Sequence, residues 1–254
     1  MNKNFLIPII AGLMLIFANL ACATISKTTT TTYSATTAST ESSSNLSEVS
    51  TTAPNPTDTP QPQIDLQTGS YSSYVDSIGT LWFVGEIVNK GNAPATSVQV
   101  ALSLLDNNGN VVGVGSDSPS FIQANGKFPF KIMVDQAPKE WKDVKIQIQG
   151  TPYDSQSFMP LYIDLKTDKV TGNPSGYGTY GLTGIVINTG QKTATLVQIV
   201  AAAYDKDGKV IDVGDTFATL SDIAPGGDSP FSLDFSNLSE APASYEIFVV
   251  SFSK

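Results

Sequence analysis

Two short acidic turns come nearest to a chemical motif in this chain: Asp106-Asn107-Asn108-Gly109 and Asp205-Lys206-Asp207-Gly208. Oxygen side chains spaced around a glycine are how calcium loops are built. An EF-hand loop also needs a bidentate Glu at its twelfth position, and neither turn has one. Both therefore read as hairpin turns in which the glycine accepts a positive φ. Asp205, Asp207, Asp212, Asp215, Asp222 and Asp228 fall on or beside turns of the C-terminal half. A solvated acidic rim describes them better than a weak divalent-cation site. Glu86 sits on the outward face of a strand with no second carboxylate placed to pair with it, so the two-carboxylate arrangement of a glycosidase is missing. No Gly-x-Ser-x-Gly or Ser-x-x-Lys setting for a nucleophile occurs. The chain has no His and one Cys, which removes the commonest general base and the usual zinc ligands. The expectation is a non-enzymatic protein without metal or cofactor.

The aromatics are the better candidates for recognition. Trp82, Tyr71 and Tyr74 cluster at the start of the first long strand. Trp82 falls on the face opposite Phe83, and such a group can stack on a sugar ring or anchor a protein partner. The competing reading is that Trp82 covers a sandwich edge or packs against a second domain, since its counterpart there is Gly181. Nucleic acid is excluded as a partner. The net charge is −9, every one of the 14 basic residues is Lys, and no basic stripe is available to neutralise phosphates.

The N-terminus reads as an address. Lys3 and the α-amine precede an apolar run, Phe5 to Ala18, that is too short to span a bilayer but fits a secretory h-region. It ends on small residues around the sole cysteine, Cys22, and so resembles a prokaryotic lipoprotein signal. That resemblance implies lipidation of Cys22 and a membrane anchor facing outside. Asn19 stands where that signal prefers an aliphatic residue. An ordinary secretory signal, leaving a secreted protein, or an uncleaved anchor are the alternatives. Of residues 24–60, 21 of 37 are Ser or Thr, with Pro gathering at the end. Such a composition has too few apolar groups to offset ordering entropy, and is expected to be a disordered stalk.

Beyond the stalk the sequence says the same thing twice. "GEIVNKGN" (Gly85 to Asn92) returns as "GIVINTGQ" (Gly184 to Gln191), and from Ile64 to Gly115 an offset of 99 gives 18 identities in 52 positions without a gap. A two-residue insertion then shifts the offset to 101. A period near 100 residues is the size of an independent domain rather than a solenoid repeat. The segments are thus 1–22 signal peptide, 23–61 stalk, 62–158 first domain and 159–254 second domain.

Each copy alternates with period two. Val98, Val100, Leu102 and Leu104 share one face, as do Val197, Ile199, Ala201 and Ala203, while Gln99 and Gln198 mark an opposite face expected to be wet. Six or seven short strands divided by Asn-Gly and Asp-Gly turns predict two tandem, antiparallel immunoglobulin-like β-sandwiches. The order Gly-x-[Ile/Val]-x-Asn-x-Gly, an alternating strand ending in Asp, Asp-x-x-Gly-x-Val and finally Pro-Phe resembles the FxLYD domain of prokaryotic surface proteins. Its namesake strand corresponds to "LSLLD" (Leu102 to Asp106) and "AAAYD" (Ala201 to Asp205). That likeness implies an extracytoplasmic β-sandwich and carries over no catalytic residue. The functional expectation is a surface lipoprotein whose two modules bind a protein in adhesion or envelope assembly. The alternative is a carbohydrate-binding accessory protein using Trp82, Tyr71 and Tyr74.

Overall fold

The computed structural model describes residues 61–134, 137–155, 160–176, 178–236, 238 and 241–254. The expected signal peptide, Cys22 and all of the expected stalk but Gln61 lie outside these residues, as does the expected domain boundary at 158/159. The first copy forms β1 (Leu66–Val75), β2 (Leu81–Asn89), β3 (Ala95–Leu105), β4 (Val111–Asp117), β5 (Phe121–Ile122), β6 (Lys127–Val134) and β7 (Asp143–Pro152). The second repeats the set as β8 (Leu165–Gly176), β9 (Thr179–Asn188), β10 (Ala194–Tyr204), β11 (Val210–Phe217), β12 (Asp222–Ile223), β13 (Asp228–Phe235) and β14 (Ser244–Ser253). Each copy is a β-sandwich of two antiparallel sheets, ordered β1-β2-β6 and β4-β3-β7 in the first, β8-β9-β13 and β11-β10-β14 in the second. The two-residue strands β5 and β12 pair with the starts of β3 and β10. This is the tandem immunoglobulin-like architecture that the alternation predicts.

The repeated phrase has a physical job. Asn89 and Asn188, both fully buried, close the same loop in the two copies. The Asn89 amide donates to the carbonyls of Ala93 (2.8 Å) and Gln123 (3.1 Å), and its Oδ1 accepts from the amides of Gly91 and Asp65. Asn188 donates to Lys192 (2.7 Å) and Ile223 (2.8 Å), and accepts from Gly190 N–H and from the Tyr162 hydroxyl. One side chain thus satisfies backbone groups of three segments that no ladder reaches, which is why the residue type is fixed. Glycine is required two residues on, because a Cβ at Gly91 would lie 2.2 Å from the Gln63 carbonyl and one at Gly190 2.1 Å from the Tyr162 hydroxyl. The Asp-x-x-Gly turns behave as the sequence predicts. Gly109 and Gly208 have φ of 80° and 75°, and the Asp106 and Asp205 carboxylates accept the amides of Asn108 and Asn110 and of Asp207 and Lys209. In the first turn the Asn110 side chain, then its backbone amide, holds the Asp106 carboxyl below the usual range.

One expectation needs correction. The outer face of β10 is not wet: Val200, Ala202 and Tyr204 are buried along with the inward Ile199, Ala201 and Ala203. The same is true of β2, where Val84 and Glu86 are buried on the face opposite Phe83 and Ile87. The cause is that the second sandwich lies on the first, outer sheet face to outer sheet face.

Replacing Asn188 with Ala should cost about 3 kcal/mol or more in urea unfolding, because several buried backbone groups lose their partners. Asn188→Asp should not restore stability at neutral pH, since a carboxylate has no N–H for the Lys192 and Ile223 carbonyls. Asn108→Ala, on an exposed hairpin, should stay within about 0.5 kcal/mol.

Candidate functional site at the junction of the two repeats

The junction is made by the β1-β2-β6 sheet of the first copy and the β11-β10-β14 sheet of the second. Its apolar part, Val200, Ala202, Val210, Val213 and Val250, is continuous with the first sandwich's own core. The Phe128 and Phe248 rings meet across it with centroids 5.4 Å apart. Two cross-copy backbone contacts fix the register: the Ser72 hydroxyl donates to the Val210 carbonyl at 2.5 Å, and Lys131 Nζ donates to the Val213 carbonyl at 2.9 Å.

Two charged clusters lie at this interface, each built on a buried carboxylate, Glu86 or Asp212. In the first, Lys127 Nζ lies 2.7 Å from Glu86 Oε1 and 2.8 Å from Glu246 Oε2, while the Tyr204 hydroxyl donates to Glu86 Oε1 at 2.5 Å. Lys127 also sits 4.9 Å from the Tyr204 ring centroid. Burial by itself would lower the Lys127 pKa, but its hydrogen bonds to Glu246, Glu86 and Tyr204 outweigh that and hold it above the ordinary lysine value. Burial, reinforced by Glu86, likewise raises the Tyr204 phenol. In the second cluster the fully buried Asp212 accepts from Lys131 Nζ at 2.8 Å, from the Tyr74 hydroxyl at 3.0 Å and from the Ser236 amide at 3.0 Å. Glu86 and Asp212 therefore depart from their sequence reading. Glu86 does point out of its own sandwich, but toward the other copy, where Tyr204 binds it alongside Lys127 of its own sheet. Asp212 belongs to no solvated rim; Asp207, Asp215, Asp222 and Asp228 are exposed, and Asp205 is half-buried.

The predicted aromatic surface is divided. Tyr74 and Trp82 are cross-strand neighbours on the junction face, with Tyr74 bound to Asp212. Trp82 is half-buried, its indole N–H donates to Asp76 Oδ2 at 3.0 Å, and Lys131 Nζ stands 5.4 Å from its ring. That indole bond outweighs desolvation and, with the amides of Thr80 and Ile78, holds the half-buried Asp76 carboxyl below the usual range. Tyr71 is on the opposite face of β1, across from Gly85. The three do not form one platform. A cavity of about 520 Å³ opens beside Trp82 and Lys131, bordered by Asp117, Asp215 and Asp234 and by Gln198. Among the described residues no group of three or more Cys, Asp or Glu is placed to hold a metal ion.

The interface is built once only. The ladder registers equate Trp82, Val84, Glu86, Lys127 and Lys131 with Gly181, Thr183, Ile185, Asp228 and Ser232. They equate Ala202, Tyr204, Asp212, Glu246 and Phe248 with Ser103, Leu105, Gly113, Lys145 and Gln147. The unpartnered outer sheets thus lack the Trp, Tyr and Phe of the docked ones and the Glu86, Lys131 and Asp212 charges, and carry reversed charges, Asp228 and Lys145, where the junction has Lys127 and Glu246. A heterologous contact of this kind can propagate, and the divergence of the copies leaves the two free sheets without the side chains that make the junction.

No family model matches the chain, and no curated protein does. Among solved structures it is similar to red sea bream transglutaminase, at 9% identity and a TM-score of 0.23. The likeness covers 77% of this chain and 32% of that one, so the chain spans about a third of its length.

Lys131→Ala should destabilise the protein by about 3 kcal/mol in chemical unfolding, because Asp212 would be left buried without its cation. Lys254→Ala, which breaks the exposed pair with Asp222, should cost no more than about 1 kcal/mol. On the alkaline side both raised groups act with one sign. Their contribution is complete below the ordinary tyrosine and lysine values of 10.0 and 10.5 and is lost as pH rises through the higher folded values. Stability should therefore fall above about pH 10. Absorbance at 295 nm should show one phenol ionising late, and Tyr204→Phe should delete that phase.

Proposed function

We propose that the protein is a non-enzymatic exported lipoprotein, fixed by Cys22 to the outer face of the cell membrane. Its Ser/Thr-rich segment serves as a spacer, and its two FxLYD-like sandwiches form a single head that binds a protein partner in adhesion or envelope assembly. One observation carries this reading. The side chains best suited to chemistry (Glu86, Asp212, Tyr204, Lys127 and Lys131) are engaged in fastening one sandwich to the other. A pair of all-β modules joined in this way presents a fixed surface made from both copies, which suits recognition. The carbohydrate reading rests on Trp82 with its cavity, because Tyr71 faces elsewhere and the Tyr74 hydroxyl is occupied by Asp212.

The anchor is tested by metabolic labelling with a radioactive fatty acid followed by detergent phase partition. Cys22→Ala should abolish the label and move the protein to the aqueous phase; a labelled, membrane-bound Cys22→Ala protein contradicts the proposal. Crosslinking on intact cells should capture a protein partner. Binding on a glycan array that Trp82→Ala abolishes, with no crosslinked protein, would favour the carbohydrate reading instead.

A further inference from the structure

The second copy carries three exposed apolar side chains that the first does not. Leu196, Phe217 and Leu220 are 50%, 57% and 51% accessible. The counterparts of Leu196 and Phe217 are Ser97 and Ser118. Leu220 lies in the stretch between Gly214 and Ile223 where the second copy has gained two residues. The three are brought together by the backbone. Leu196 N–H bonds to the carbonyl of Ser221, beside Leu220, and Ala218 N–H, beside Phe217, bonds to Val197. Leu196 also occupies the left-handed region, with φ of 51°, at the bulge where β10 leaves its early pairing with β14. Ser97 has the same backbone, φ 50°, so the bulge belongs to the fold. What is new is a leucine placed on it, at a position where a bulky side chain adds strain.

This patch runs into the junction cavity. Gln198, the cross-strand partner of Phe217, borders that cavity, and so does Asp215. Its charge is unbalanced. Lys131 is neutralised by Asp212, and among the described residues Asp117, Asp215 and Asp234 have no ion-pair partner. A cation entering there meets three carboxylates and the Trp82 indole, which attracts it as well. An anionic lipid surface would be repelled by the same carboxylates. Apolar side chains beside an acidic cavity complement a protein segment in which Leu, Phe or Trp neighbours a lysine or arginine.

We propose that Leu196, Phe217 and Leu220, with the adjoining Asp215/Asp234 side of the junction cavity, form the docking surface for a protein partner that presents apolar residues next to a basic one. The inference rests on the reading of the head as a protein-binding module and names where and what it binds. The test pans a phage library of random dodecapeptides on the full-length protein in detergent, then measures the enriched peptides by fluorescence anisotropy. Peptides pairing Leu, Phe or Trp with Lys or Arg should be enriched. Their affinity should fall at least tenfold with Phe217→Ser, which installs the first copy's residue, and severalfold with Asp215→Asn or with added salt. All of these side chains are exposed, and unchanged thermal unfolding of each variant will show that the fold is kept. Enriched peptides that bind all the variants equally would overturn this site while leaving the binding module standing. No peptide enrichment, together with saccharides retained on a glycan array, would overturn both the site and the protein-partner reading.

Discussion

Two sheet faces that would be wet in isolated sandwiches are pressed together here, and the arrangement of the head depends on that contact. β2 and β10 each bury both their faces, one inside its own sandwich and one against the other copy. The valines at the contact supply apolar area, each worth about 1.5–3 kcal/mol when fully buried. The charged clusters do something different. A buried ion pair returns little net stability once its desolvation is counted. It does penalise every docking in which Glu86 or Asp212 is enclosed without Lys127 or Lys131. The valines make the two sandwiches adhere, and the ions choose one register.

The same contact explains how two copies of one sequence came to differ. Residues that shape each copy internally are retained in both: Asn89 and Asn188, Gly91 and Gly190, Gly109 and Gly208. Residues on the docked faces diverged in complementary directions. Glu86, Lys127 and Lys131 appear on one sheet of the first copy, and Tyr204, Asp212 and Glu246 on the other sheet of the second. Had both copies kept both sets, each chain would present a free acceptor and a free donor face and could add further chains end to end. Gln147 and Gln149 on one free face and Thr183 and Ser232 on the other do not reproduce the docked set. Specialisation of the copies is what makes this junction specific to the one pair of faces.

Part of this was readable in advance. Asn-x-Gly and Asp-x-x-Gly turns, with period-two alternation between them, identify strands and hairpins because turn geometry and pleat are local properties. The both-sided burial of β10 also left a trace. "VQIVAAAYD" is nearly continuous in apolar residues after Gln198, where "VQVALSLLD" brings in a serine, and an uninterrupted run is what burial on both faces produces. The alternation at Val197, Ile199, Ala201 and Ala203 marks one face only. Glu86 carried no comparable trace. A lone glutamate on an outward face has the same sequence pattern whether it meets water or a tyrosine 118 positions away.

The β-sandwich of each copy, its turns and the duplication follow from the order of residues alone, because backbone geometry and inward alternation are set by neighbours a few residues apart. That Trp82 and Tyr74 face the second copy while Tyr71 does not, and that Asp212 is a buried counter-ion rather than part of an acidic rim, comes from the docking of the two copies. The same packing selects which outer sheet faces stay uncovered by the other copy. These are outcomes of packing two finished sheets against each other. That packing depends on the shape and charge of whole faces, assembled from strands about a hundred residues apart, and no local pattern records it.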